Sequence, residues 1–430
     1  MTQPFRVSIA GLGTVGAGVV KILQQNHDLI TARAGRAVEI VAVSARDRKK
    51  GRGVDLSAYA WHDDPAALAT GEGDAVIELI GGSDGVAPAL VRAAIKNKKH
   101  VVTANKALLA HHGAELALLA EAGGVSLAYE AAVAGGVPAI KALREGLAAN
   151  KIGAVYGILN GTCNYILTQM RETGRDFADV LKEAQEKGYA EADPAFDIDG
   201  VDAGHKICIL AAIAFGVKPD FKAVRLTGIR QVSAVDISFA GELGYKIKLL
   251  GIARDYDGRI LVSVEPCLVG INTPLGTVDG VLNAVFVEGN FVRSPLLTGR
   301  GAGEGPTASA VVADIIDLAR GLRVPTFGVP AVKLKVPEFV DPGETINPYY
   351  LRLTVLDQPG VLADVSAILR DHRISIESLL QRGRDPDQPV PVVITTHESR
   401  HADMQEACRL IGALKSCVEA PCLMRIKGEL

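Results

Sequence analysis

The chain has 430 residues, 48% hydrophobic and 22% charged, with a formal net charge of −3. That length suggests roughly two to three domains, and that balance fits a globular enzyme, with no case for nucleic acid or an anionic membrane as partner. The longest apolar run, Ile207 to Val217, is too short to cross a bilayer. The N-terminus lacks the basic start and long apolar core of a cleaved signal. Six cysteines without a C-x-x-C pair fit a reducing cytoplasm and argue against a structural zinc site.

Arg6 to Ala10 reads as a short apolar strand. It runs into Gly11-Leu-Gly-Thr-Val-Gly16, and a helix is expected from about Ala17 to Ala32. Strand, G-x-G-x-x-G and helix in that order form a dinucleotide-binding turn. Gly11, Gly13 and Gly16 allow a tight turn and close backbone approach to a pyrophosphate, with Thr14 and Val15 between them where the helix N-terminus meets its charge. The next strand, Val38 to Val43, lacks at its end the acid that usually takes a ribose 2′-hydroxyl. Arg46, Asp47, Arg48, Lys49 and Lys50 follow instead. The cations, Arg46 first, favour a 2′-phosphate and so NADP(H). Asp47 keeps NAD(H) open, and Arg48, Lys49 and Lys50 read equally as a solvated loop. Strands at Ala75–Leu79, His100–Val102 and Ser126–Tyr129, with a helix near Gly85–Asn97, continue an open α/β sheet. Thr103-Ala104-Asn105-Lys106 then lies beyond a strand end, where such sheets bind ligands, and this puts Lys106 near the nicotinamide. The plainer reading of Lys106 is a loop lysine.

Tyr129-Glu130 and the small residues up to Pro138 make a strand-to-helix turn. A strand at Val155–Leu159 leads into Asn160-Gly161-Thr162-Cys163-Asn164, whose polar side chains suit a small polar substrate. Cys163 among them raises the alternative of an acylating nucleophile, although no histidine lies near it in sequence to act as base. Gly188 to Lys206 is denser in acids than an ordinary loop, with Glu191, Asp193, Asp197, Asp199 and Asp202. Asp202 and Lys206 stand four apart, on one face of a helix. A partly buried lysine beside a carboxylate is a poised proton donor. Against this stand a capping Asp199 and a snorkelling Lys206. Strands at Ser263–Pro266, Ala284–Val287 and Phe291–Val292 point to an open mixed sheet. The glycine-rich run from Gly299 through Gly303 to Thr307 precedes a helix, Ala308–Arg320, expected to return to the nucleotide domain.

Prolines 325, 330, 337, 342 and 348 mark a connector. Beyond it come a strand at Tyr350–Leu356, the turn Asp357-Gln-Pro-Gly360, and a helix with Val361, Leu362, Val365, Ile368 and Leu369 on one side. Strands near Ile374–Ser378 and Val392–Thr396, a helix at Ala402–Leu414 and a strand at Val418–Ile426 complete a βαββαβ order, the ferredoxin-like arrangement.

The string A-x3-G-Y-A-x2-D-P-x2-D-I-x-G-x-D-x3-K from Ala184 to Lys206, together with TANK, NGTCNYIL and the GRGAG segment, resembles homoserine dehydrogenase. The tail resembles an ACT domain, with its DQPGVL turn in place. The resemblance spans the chain and implies the following. An NAD(P)-binding Rossmann domain covers 1–130 and is completed by about 307–325. An α+β catalytic and dimerisation domain with an open mixed sheet covers 131–306, a linker 326–348, and an ACT regulatory domain 349–430. The activity is reduction of L-aspartate 4-semialdehyde to L-homoserine. Lys206, Asp202 and Lys106 are catalytic, and Glu191, Asp197, Gly161 and Thr162 hold substrate. Lys106, Gly188 and Gly303 join the nucleotide turn and Arg46 at the cofactor. Glu130 with the carbonyls of Val133, Gly135 and Val137 binds a monovalent cation, sodium. The resemblance also implies an amino-acid effector, L-threonine, at the ACT domain, a homodimer or homotetramer, and a cytoplasmic enzyme. A dimerisation domain without a ligand is the alternative for the tail.

Overall fold

The computed structural model describes residues 3–382 and 388–430. Its first sheet is parallel, in the order β3-β2-β1-β4-β5-β6. The strands are β1 Phe5–Ala10, β2 Val38–Ser44, β3 Ala60–His62, β4 Ala75–Glu78, β5 His100–Thr103 and β6 Leu127–Ala128. Their apolar runs are buried, as a sheet covered on both faces requires. Around them run α1 Thr14–Gln25, α2 His27–Ala34, α3 Val86–Lys96 and α4 Lys106–Gly123. The single helix expected over 17–32 is two, because the chain leaves helical geometry at Asn26.

A short helix α5 Ala139–Lys141 leads into the second sheet. Its strands are β7 Ile152–Ile158, β8 Arg225–Leu226, β9 Tyr245–Tyr256, β10 Arg259–Gly270, β11 Leu282–Gly289 and β12 Leu296–Arg300. Helices α6 Gly161–Thr173, α7 Phe177–Glu186, α8 Ala195–Ile198, α9 Val201–Phe215 and α10 Ala234–Glu242 accompany it. The strand expected at Phe291–Val292 is a tight turn. Gly289 and Arg293 exchange backbone hydrogen bonds, Arg293 is left-handed, and Phe291 is 83% exposed. Helix α11 Glu304–Ala319 does return to the nucleotide unit. It packs so closely on α1 that a β-carbon on Gly18 would meet Glu304 at 2.8 Å.

After the two-residue strand β13 Ile346–Asn347 comes β14 Tyr349–Leu356, then α12 Val361–Asp371, β15 Ile376–Gln381, β16 Pro389–Thr396, the two-residue β17 Ser399–Arg400, α13 His401–Gly412 and β18 Cys422–Lys427. The order β18-β14-β16-β15 is that of a ferredoxin-like sheet. This unit is fused to the catalytic sheet. β18 runs parallel to β10, with Cys267 to Val269 opposite Arg425 to Lys427, so one sheet extends from β12 to β15. Asp236 on α10 accepts from Tyr350 Oη at 2.9 Å and Arg352 Nε at 2.7 Å, across the same seam. The proline-rich stretch before it is anchored too: Glu121 accepts from the backbone N–H of Thr326 and Ala331, and Phe339 bridges Ile260. Among the described residues no helix is long and apolar enough to cross a membrane.

Candidate active site

Between the two sheets stands a single carboxylate, Asp202, with two lysines on it. Lys206 Nζ lies 2.7 Å from its Oδ2, and Lys106 Nζ lies 3.1 Å from its Oδ1. Local structure fixes each partner. Gly200, left-handed at φ +85°, starts α9, so Asp202 and Lys206 fall one turn apart on the same face. Asn105 caps α4 by accepting from Leu108 N–H and donates to the Gly82 carbonyl, which places Lys106 as the first residue of α4. Asn160 caps α6 through Cys163 N–H, and its amide donates to Asp202 Oδ2 and Asp197 Oδ1, both at 2.8 Å. The helix starts at 106, 161 and 201 thus converge on one point.

Burial pushes the Asp202 carboxyl up, but Lys206, Lys106 and Asn160 outweigh it and hold the group well below the usual carboxylate range. Burial lowers the Lys206 ammonium from 10.5 more than Asp202 restores it. Lys206 is buried and also donates to the Leu159 carbonyl at 2.7 Å, so it does not snorkel. It has three N–H bonds and two acceptors among the described residues. Lys106 reaches the cleft with its ammonium over the Phe196 ring, 5.6 Å from its centre.

Other acids of the string divide. Asp197 joins the cluster through Asn160, raised by burial against that hydrogen bond. Asp199 does not cap α9; it pairs with Arg230 on the outside. Asp193 accepts from Ala195 N–H, and the Glu191 carboxylate is exposed, with no partner among the described residues. Thr162 donates its hydroxyl to the Tyr189 carbonyl, which ties Gly161-Thr162 to the loop carrying left-handed Gly188. Cys163 is fully buried, with its thiol on the Asp197 carbonyl. Burial, then Asp197 and Asp202, raises its pKa well above the thiol value, the wrong setting for a nucleophile. His205, beside Lys206 in sequence, packs against Phe221 at 4.2 Å and His111 at 5.4 Å. Burial lowers it to about 4, so it stands neutral near the lysines.

The nucleotide turn faces a cleft of about 780 Å³ lined by Gly11, Gly13, Arg46, Lys50, Arg52 and Ile80 among others. Gly11, at φ +97°, would meet the Leu79 carbonyl at 2.5 Å if it carried a β-carbon, whereas Gly13 has nothing within 4 Å and leaves room for a phosphate. Thr14, Val15 and Gly16 form the first turn of α1. Asp47 also lines this cleft, and one of its carboxylate oxygens accepts from Lys49 N–H. Arg48 and Arg52 stack near Trp61, and Arg52 donates to backbone carbonyls of Leu12, Asp47 and Lys50. Gly303 precedes α11 at φ +121°.

Glu130 is buried. Its two oxygens accept from Ile140 N–H at 3.0 Å and Lys141 N–H at 2.8 Å. The turn from Val133 to Val137 is buried except at Gly136 and holds Ala134 and Gly135 left-handed. The Val137 carbonyl already accepts from Ala139 N–H. Each carboxylate oxygen keeps a free lone pair, and the set is all oxygen, which fits a hard cation. Burial, then Asp314, raises Glu130 to about 7.

Reading the sequence offered Asn160 only as a polar contact for substrate, not as the link between Asp197 and Asp202, and it missed His205. A strand end running into an N-cap asparagine was the available signal for Asn160; nothing local marked His205.

The chain matches the sequence profile described as homoserine dehydrogenase over residues 138–316, the homoserine dehydrogenase NAD-binding domain over 11–130 and the ACT domain over 349–411. It is 46% identical to a homoserine dehydrogenase of Neisseria gonorrhoeae, covering 98% of each chain. It is 44% identical to that of Pseudomonas aeruginosa, covering 99% of each. Its structure is similar to the crystal structure of a homoserine dehydrogenase from Thiobacillus denitrificans, with a TM-score of 0.93 and 43% identity over 99% of both chains. The chain belongs to the homoserine dehydrogenases, NAD(P)-dependent oxidoreductases with a C-terminal ACT domain.

Proposed function

We propose that the chain reduces L-aspartate 4-semialdehyde to L-homoserine, reversibly and with NADPH preferred, on the cytoplasmic route to threonine and methionine. Bound NADPH supplies the hydride. Lys206 donates a proton to the carbonyl oxygen as it gains negative charge, Asp202 orients it and favours its charged form, and the proton is replaced from solvent. Lys106 polarises the same oxygen or its neighbourhood from the cofactor side. Asp197, Gly161 and Thr162 position the substrate, with Glu191 on its α-ammonium once the loop from Gly188 to Asp193 meets it. The observation that carries this reading is the third, uncommitted N–H of Lys206, aligned by a buried carboxylate.

Preference for NADPH is supported by Arg46 and Lys50 on the cleft wall and by one Asp47 carboxylate oxygen engaged by Lys49 N–H. We further propose that Glu130 with the carbonyls of Val133, Gly135 and Val137 holds sodium. The working division is 1–130 with 307–325 for cofactor, 131–306 for catalysis and pairing of copies into a dimer or tetramer, 326–348 as connector and 349–430 as sensor. L-Threonine is the proposed effector at the turn ending in Gly360, which opens α12 at φ +96°.

Assaying L-homoserine oxidation with NADP and NAD, with and without millimolar L-threonine, tests the reading. It predicts higher kcat/KM with NADP and inhibition by threonine. Equal or reversed cofactor use would remove Arg46 from the account, and indifference to threonine would leave the tail as an assembly unit. Gly360→Asp should abolish the threonine response and spare basal activity. It replaces deletion of the tail as the test, because removing β18 and β14 would expose the β10 edge and orphan buried Asp236.

A further inference from the structure

One edge of β10 is paired with β9 along its whole length. The other edge is paired in two pieces, with β8 at Ser263 and Val264 and with β18 from Cys267 to Val269. Glu265 and Pro266 fall between them with no strand alongside. The notch opens into a groove of about 560 Å³ between the catalytic sheet and α13, well apart from the nucleotide cleft.

The charges in this groove are unbalanced. Arg225, exposed on β8, lines it and has no partner among the described residues. Arg425, 5% exposed, lines it from β18; its guanidinium is held by Glu265 at Nη1, lies 3.3 Å from Thr345 at Nη2 and interacts with Tyr349, but its buried Nε–H has no acceptor among the described residues. Arg409 is already engaged by both oxygens of Glu406. Two guanidiniums with unused donors among the described residues therefore line a groove with one carboxylate, Glu265, which is bound to Arg425 and also accepts from Ser263. A buried donor without an acceptor is costly unless something supplies one. Leu261, Pro342, Pro421 and Leu423 form apolar walls between the charges.

We infer that this groove binds a small organic carboxylate, with its oxygens on Arg225 and Arg425 and a short hydrocarbon body against the apolar walls. Guanidinium forks match carboxylates, and the apolar walls favour a hydrocarbon body over a bare anion. The site also lies close to catalysis. Val264 projects from the opposite face of β10, and its side chain is 3.0 Å from where a β-carbon on Gly200, at the start of α9, would stand. The groove floor at Ser263 and Glu265 is thus one strand's thickness from the helix of Asp202 and Lys206.

Calorimetry of the full-length enzyme, saturated with NADPH to block the nucleotide cleft, tests the inference with succinate as probe and inorganic phosphate as comparison. The expected result is saturable succinate binding, one per chain, weakened about tenfold or more by Arg225→Gln, since loss of a charge-assisted pair has effects of that order. Arg225 is exposed and unpartnered, so this variant keeps the fold, and an unchanged melting curve would verify it. Absence of saturable binding, binding equal in wild type and Arg225→Gln, or phosphate binding as tight as succinate would each overturn the assignment.

Discussion

Asp202 and Asp279 are both carboxylates gripped by buried lysines, and they sit near opposite sides of the same helix start, α6. Asn160, the cap of α6, donates to Asp202; Asn164, one turn on, accepts from Lys248, the buried lysine on Asp279. Burial lowers both lysines, Lys248 to about 8, so burial and charge alone do not separate the two clusters. The hydrogen-bond count does. Lys248 has three acceptors for three N–H bonds: Asn164 at 3.0 Å, the Val278 carbonyl at 2.6 Å and Asp279 at 2.8 Å. Arg171 and Lys246 complete the neutralisation of Asp279. Lys206 has two acceptors among the described residues, and its carboxylate is shared with Lys106, which is partly exposed. A saturated cluster fixes structure; an unsaturated one keeps a proton for transfer.

Breaking the unsaturated cluster should have the largest effect. Asp202→Asn keeps the shape but leaves Lys106 and Lys206 without a counter-charge, so kcat is expected to fall about 10²–10⁴-fold in protein that still shows a native circular dichroism spectrum. Lys248→Ala sharpens the contrast. It leaves the buried Asn164 Oδ1 unpaired, while the Val278 carbonyl keeps the Asn164 amide at 3.2 Å, and should cost about 1–3 kcal/mol in urea unfolding, with kcat of the folded enzyme changed by less than a factor of about three (ΔΔG‡ below ~0.7 kcal/mol). A large loss of kcat there would erase the distinction.

The smallest expected effect concerns Glu130, whose pKa is raised to about 7 by burial and Asp314. A raised carboxyl contributes stability that is fully present below its unfolded value of 4.5 and is lost as pH rises through about 7. A cation on the carboxylate should reverse that loss. Sodium should therefore raise the melting temperature more at pH 8 than at pH 6, relative to choline at equal ionic strength. Equal shifts at both pH values would remove Glu130 from cation binding.

Legibility in the sequence followed how local the determinant was. The nucleotide turn, the pair Asp202 and Lys206, and the βαββαβ order of the tail all rest on short spacings, and all appear where expected. The long strand β9 was missed because Tyr245 to Tyr256 alternates only at its start and then runs apolar through a fully buried sheet. The joining of β18 to β10 was invisible because it pairs residues about 160 apart, and proline content suggested a loose connector where the chain is in fact anchored. Asn160 was legible as a polar residue for substrate but not as the link to Asp197 and Asp202, which lie about forty residues away. Asp199 looked like a cap, but left-handed Gly200 takes the N-cap position and leaves Asp199 to Arg230.

The central claim is that Lys206 supplies the proton. Single-turnover reduction of L-aspartate 4-semialdehyde by Lys206→Ala, in enzyme shown by fluorescence to bind NADPH as wild type does, tests it most directly. The account predicts a rate about 10²–10⁴-fold lower, in protein that is folded but less stable than wild type, because buried Asp202 keeps only Lys106 as counter-charge. A near-normal rate in folded, NADPH-loaded Lys206→Ala would contradict it and leave Lys206 as no more than a structural partner of Asp202.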